Sequence, residues 1–245
     1  MWAFRVAESQ KVSLPVIVNM DGFILTHVIE PIEYWDKDLV KKYLPDFDPL
    51  NALNPEKPTS VGAFGMPGIY TEAKVAQNEA LLQSKPEIIK AWQELGDLTG
   101  RHYNPVETYK SENAETVFLT MGSIGETVAM AVDELRDQGE AAGLIKLRLW
   151  RPFPFDELRQ AAQGAKRMIV IDRAISYGGP GGPVASEIRS SFYKEDNMPT
   201  VTNFICGLAG RDVTPQDYIT MYKQSLDMAS GKVRQEDYVF YGVRE

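Results

Sequence analysis

Glu115-Thr116-Val117-Phe118-Leu119-Thr120-Met121-Gly122-Ser123-Ile124-Gly125-Glu126 decides the fold class. Residues 115–120 read as a strand. Ser123 to Glu126 has the spacing of a capping box, in which a Ser hydroxyl and a Glu carboxylate three positions on satisfy each other's backbone N–H groups. The helix it opens places Val128, Val132 and Leu135 on one stripe. The same alternation then repeats. Leu144 to Trp150 reads as a second strand and Phe155 to about Gln163 as a helix. Arg167-Met168-Ile169-Val170-Ile171-Asp172 is a third strand, followed by a Gly-rich turn and a helix carrying Val184, Ile188 and Phe192. Thr200-Val201-Thr202-Asn203-Phe204-Ile205 is a fourth strand. The last helix starts at Thr214-Pro215-Gln216-Asp217, with Thr as cap, Pro in the first turn and Asp at the positive end of the dipole. Strand and helix alternate four times, which predicts an α/β fold: a mostly parallel sheet with helices on both faces over residues 111–245.

Upstream the character changes. A short helix-like start reaches about Ser9, and Leu14-Pro15-Val16-Ile17-Val18-Asn19 reads as a buried strand, apolar without alternation. Its expected sheet partners are not apparent in this chain. Residues 31–110 read as a connector: Pro31, Pro45, Pro49, Pro55, Pro58 and Pro67 break its first half into turns and extended pieces. Two helices are expected after them. The second should begin at Ser84-Lys85-Pro86-Glu87, carry Ile88, Ile89, Trp92 and Leu95 on one face, and stop at Gly96.

Composition narrows the chemistry. A net charge of −8 disfavours a nucleic-acid partner, which would select a basic face. One cysteine, Cys206, cannot form an intrachain disulfide, a Cys-rich zinc site or an iron–sulfur cluster. Met1-Trp2-Ala3-Phe4-Arg5 lacks the basic-then-apolar pattern of a signal peptide, and no apolar run approaches the roughly 20 residues that a bilayer requires. A reducing cytoplasm, away from any membrane, is the expected setting.

Two loops invite a ligand. Tyr177-Gly178-Gly179-Pro180-Gly181-Gly182-Pro183 lies between a strand and a helix, where free backbone N–H groups can cradle a phosphate. Pro180 and Pro183 offer no N–H, however, and neither the P-loop nor the dinucleotide spacing is met. Gly178, Gly179, Gly181 and Gly182 are therefore read first as a tight turn that lets helix and strand pack closely. Gly122 and Ser123 lie at a strand's carboxyl end, a common ligand position, yet Ser123 is already explained as a helix cap. Asp21-Gly22 fails as the metal–diphosphate motif of thiamine enzymes, because Met20 stands where the first Gly belongs and no Asn-Asn pair occurs. His27 and His102 have no ligand spacing around them, Cys206 reads as a small buried hydrophobe, and Arg211-Asp212 reads as an ion pair that shapes the loop or docks a neighbouring subunit. No catalytic or metal-ligating residue is assigned.

Several stretches together resemble one family. Phe4-Arg5-Val6-Ala7-Glu8 and Leu14 through His27 resemble the closing helix and strand of the thiamine-pyrimidine domain in alpha subunits of pyruvate:ferredoxin, or more broadly 2-oxoacid:ferredoxin, oxidoreductases. Gly100-Arg101-His102-Tyr103 and Val106 to Tyr109 resemble the opening of the next domain. Val117 to Ser123 and Leu147 to Pro154 resemble its core, and Gly207 to Pro215 its C-terminal signature. The resemblance implies a remnant of the thiamine domain over 1–30, a connector over 31–110 and a transketolase C-terminal-like domain over 111–245. It also implies membership of a complex that converts a 2-oxoacid and coenzyme A to acyl-CoA and CO₂, passing electrons to ferredoxin. Thiamine diphosphate, Mg²⁺, iron–sulfur clusters and coenzyme A would serve the complete complex, with none bound by this chain alone. Other subunits would be its partners. The rival expectation is a non-catalytic interaction module of the same fold.

Overall fold

Parallel strands need cover on both faces, and β2 (Thr116–Thr120) is buried at every position. The structure, a computed structural model, describes residues 1–244. They divide into two units: 1–20 with 29–104 and 151–153, and 21–28 with 105–150 and 154–244.

In the second unit, six strands form one sheet in the order β1-β3-β2-β4-β5-β6. β1 is Val106–Tyr109, β3 Ala142–Leu147, β4 Arg167–Asp172, β5 Thr200–Ile205 and β6 Val239–Phe240. Only β1 is antiparallel, pairing Val106 with Leu147. Register across the centre aligns Phe118 with Leu144 on β3 and with Ile169 on β4, and Ile169 with Thr202 on β5. The helices are α5 (Ile124–Asp137), α6 (Phe155–Ala161), α7 (Pro183–Ser191) and α8 (Pro215–Ala229), with a short 3₁₀ turn at Leu208–Gly210. α5 and α8 pack together over a core of Phe118, Val132, Leu135, Leu144, Phe204 and Tyr218. α6 packs on β1, and α7 on β4 and β5. Thr214 caps α8 as expected, and Asp217 also returns a bond to the Thr214 N–H, completing a capping box.

The chain leaves β2 through α5 to reach β3 on one side, then returns through α6 to β4 on the other. The carboxyl ends of β2 and β4 therefore flank a topological switch point.

In the first unit, α1 (Trp2–Ala7) packs on the second half of a single long helix, α4 (Pro67–Thr99), with α3 (Lys37–Tyr43) nearby. The short helix α2 (Ile24–His27) belongs to the other unit.

Four local expectations are corrected. No helix starts at Ser84: α4 runs through Pro86, and the Ser84 hydroxyl donates to the Leu81 carbonyl at 2.6 Å, inside the helix. Packing of Ile88, Trp92 and Leu95 holds the helix past a residue that cannot donate. Nor does Gly96 end it. Gly100 does, in the left-handed conformation, while Gly96 lets the His102 ring lie where a Cβ would be. Residues 14–20 form no strand, because no neighbouring strand offers a ladder among the described residues. Finally, β1 falls within residues assigned to the connector, and β6 was not foreseen.

Because β1 completes the sheet edge, residues 105–245 expressed alone should unfold cooperatively in urea. A fragment starting at 111 should melt at lower denaturant, with the β3 edge bare. Insolubility or a non-cooperative transition of the longer fragment would refute this.

Candidate functional site at the strand carboxyl ends

The switch point is already filled by a carboxylate of the chain itself. Asp21 accepts a 2.7 Å hydrogen bond from the backbone N–H of Ser123 and pairs with Arg173 Nη1 at 3.0 Å. Gly122 has φ of +75°, and a Cβ there would lie 2.7 Å from the Asp21 carboxylate, so glycine is needed for both reasons. Burial acts to raise the Asp21 carboxyl, but hydrogen bonds from Ser123 and the Arg173 charge prevail and lower it from 3.8. The capping-box reading of Ser123 is corrected: its side chain makes no cap bond, and its φ and ψ are already helical. The N–H that a cap would have organised serves Asp21 instead.

The Gly-rich turn is filled in a similar way. Asp172, at the end of β4, is buried and accepts from the N–H groups of Val184 at 3.0 Å and Ala185 at 3.1 Å, the first turn of α7. Asn203 on β5 accepts from Gly182 N–H at 2.9 Å and donates to Asp172 at 3.0 Å and to the Val170 carbonyl at 3.2 Å. A Cβ at Gly182 would overlap the Asp172 carboxyl. Gly181, with φ of +126°, would bring its Cβ 2.6 Å from Asn203 Oδ1. Gly178 has φ of +70°, and Gly179 donates to the Ser176 carbonyl at 2.9 Å. Arg189 closes the turn by donating to the carbonyls of Pro180 and Asp237. Three of the N–H groups that could have held a phosphate, those of Gly182, Val184 and Ala185, are thus spent on Asn203 and Asp172.

Sequence reading missed Asp172 and Asn203. The available signal was a polar residue inside an apolar strand covered on both faces, which must find a buried partner. Cys206 is buried, and desolvation pushes its thiol up to about 12, so it stays protonated. Arg211 donates to the Gly242 carbonyl, and among the described residues it makes no ion pair with Asp212. His27 is exposed, with its ring against the Phe23 carbonyl at 2.6 Å.

Two regions of one enzyme family match in chain order. Residues 1–92 match the thiamine-diphosphate-binding region of pyruvate flavodoxin/ferredoxin oxidoreductases, and residues 114–218 match pyruvate:ferredoxin oxidoreductase core domain II. The chain belongs to the pyruvate:ferredoxin oxidoreductase family. Pyruvate synthase subunit PorA of Methanothermobacter thermautotrophicus is 39% identical over 87% of this chain and 54% of its own length. The Thermotoga maritima subunit of the same name is 36% identical over 99% of this chain and 61% of its own. The chain therefore spans little more than half the length of these relatives. In fold it is similar to 2-oxoglutarate:ferredoxin oxidoreductase from Magnetococcus marinus, with a TM-score of 0.53 and 17% identity over 91% of this chain and 39% of that one.

This oxidoreductase family implies thiamine diphosphate, and the residues present do not fit it. At the Gly-rich turn, the N–H groups of Gly179, Gly182, Val184 and Ala185 are occupied internally. Among the described residues no group of three or more His, Cys, Asp or Glu side chains lies together. No helix of the described residues is long and apolar enough to cross a membrane.

Proposed function

We propose that this chain serves as part of the alpha subunit of a 2-oxoacid:ferredoxin oxidoreductase with pyruvate as the oxoacid. The complete complex would cleave the carboxylate of pyruvate as CO₂ and transfer the acetyl group to coenzyme A. Two electrons would pass one at a time to ferredoxin. Thiamine diphosphate with Mg²⁺ would supply the carbanion chemistry and iron–sulfur clusters the electron path, both held by residues outside this chain. One observation carries the reading: two regions of a single enzyme family match this chain in the family's order, on either side of residues 93–113.

In this reading residues 1–30 close a thiamine-pyrimidine domain, 31–110 connect, and the sheet domain from 111 holds the catalytic parts in register. Its contribution is positional, where small displacements cost large factors in rate. The setting is the cytoplasm.

The test is reconstitution. The chain alone should give no heat on titration with thiamine diphosphate and Mg²⁺ and no viologen reduction with pyruvate and coenzyme A. Combined with the remaining alpha-subunit sequence and the other subunits of the complex, it should restore that reduction. Micromolar cofactor binding by the chain alone, or a complex equally active without it, would overturn the proposal.

A further inference from the structure

The first unit leaves a long stretch without cover. No residue from 45 to 83 is buried, although the first half of α4 lies within it. Between Ile29 and Leu82, fourteen large apolar side chains are exposed, Ile29 at 98%, Tyr34 at 85% and Phe64 at 84% among them. A half-helix of this length is marginal on its own in water, and exposed apolar side chains gathered in one stretch mark an interaction site more often than those scattered singly. The stretch is also acidic. Across residues 29–83, nine Asp and Glu stand against five Lys and no Arg. Residues 29–36 bring Glu30, Glu33 and Asp36 with no basic residue, and 43–56 bring Asp46, Asp48 and Glu56 with none.

We infer that residues 29–83 form a docking surface for a partner protein that presents an apolar face ringed by Lys and Arg. The charge pattern selects this occupant. A second copy would bring one acidic stretch against the same acidic stretch in a two-fold contact, which charge complementarity disfavours. An anionic bilayer would repel the same carboxylates. The number of apolar side chains is of the order that an obligate interface gathers on one side. The inference rests on the proposed function for the identity of the partner: another subunit of the oxidoreductase. It goes further by placing the contact on residues 29–83 rather than on the sheet domain.

The experiment co-expresses the full chain with the remaining alpha-subunit sequence, without and with the other subunits of its complex, and maps amide exchange on the free chain and on both assembled forms. Protection should appear in 29–36 and 47–82 only with the other subunits, and the free chain should be monomeric by light scattering. Protection of 29–83 by the remaining alpha-subunit sequence alone would overturn the inference. Glu30→Lys with Glu33→Lys, and separately Ile29→Ala with Ile32→Ala, should each weaken assembly by at least about tenfold. Raising salt should weaken the wild-type complex and leave the Glu→Lys variant less sensitive. Assembly with protection confined to the sheet domain would overturn this inference while leaving the proposed function standing. A free chain that dimerises through 29–83, or protects it as a monomer, would also overturn it. Failure to assemble at all would sink both.

Discussion

Replacing Asp172 by alanine is expected to destabilise the sheet unit by about 2–4 kcal/mol, from a lost helix cap and a buried amide left short of a partner. For a chain of this size that lowers the melting temperature by about 4–16 °C. The carboxylate accepts both first-turn N–H groups of α7 and one amide hydrogen of Asn203. Removing it leaves all three facing a dry interior. Asn203 keeps its bond to the Val170 carbonyl, which limits the loss. The accompanying pH dependence has a definite sign. Burial pushes the Asp172 carboxyl above 3.8, and the Val184 and Ala185 N–H groups, Asn203 and Arg189 pull it back only part-way. Over that window the folded chain holds a proton that the unfolded chain has released. The group's contribution is therefore fully present below the unfolded value and declines as pH rises through the folded one. Urea midpoints of wild type and Asp172→Asn, taken on both sides of the ordinary carboxyl value, should show a wild-type advantage that shrinks with rising pH. An advantage that grows would mean the hydrogen bonds outweigh burial. An Asp172→Ala protein as stable as wild type would show that α7 does not depend on this cap.

The strands β2, β4 and β5 were legible because full burial writes itself as continuous apolar runs. β4 and β5 begin and end where those runs do. β1 was not legible: Val-Glu-Thr-Tyr is four residues long, half-covered and at an edge, so its sequence resembles the loop before it. The tight-turn reading of Gly178–Gly182 agrees with the geometry, but its cause was hidden. Asp172 and Asn203 meet only because β4 and β5 pair with Val170 opposite Asn203, a register that no local pattern states. Ser123 shows the opposite failure. Its spacing satisfies a capping box, yet a carboxylate about one hundred positions earlier takes its N–H. Ser84-Lys85-Pro86-Glu87 has the local pattern of a helix start, which splits α4 in two on the sequence and which packing on α1 overrides. Local rules thus located the elements, and long-range polar contacts decided what their ends do.

Trp92→Ala is expected to unfold the first unit while leaving the sheet unit folded. Trp92 is 2% exposed and meets Trp2 of α1 edge-on, with ring centroids 5.3 Å apart. Next to it the Ala91 carbonyl accepts the buried Tyr43 hydroxyl at 2.7 Å, which ties α3 to α4. Arg5 reinforces the same place by donating to the Tyr43 carbonyl and pairing with Glu94. The core around these contacts is small: Val6, Val12, Tyr43, Ile88, Ala91 and Leu95 accompany Trp92. Truncating a buried Trp costs about 3–5 kcal/mol. A unit of about 100 residues holds roughly 5–15 kcal/mol in all, and so small a core places this one at the low end. The substitution therefore removes most of what holds α1, α3 and α4 together. The sheet unit has its own larger core of Phe118, Leu144, Ile169, Phe204 and Tyr218, none of which the change touches. Amide exchange followed by mass spectrometry separates the outcomes. Protection across residues 2–7 and 85–98 should collapse in Trp92→Ala, persist in Trp92→Phe, and stay at the wild-type level in β2, β4 and β5 of both. Equal loss in both units would show that they unfold as one cooperative body, and no loss in either would show that the Trp2–Trp92 contact is dispensable.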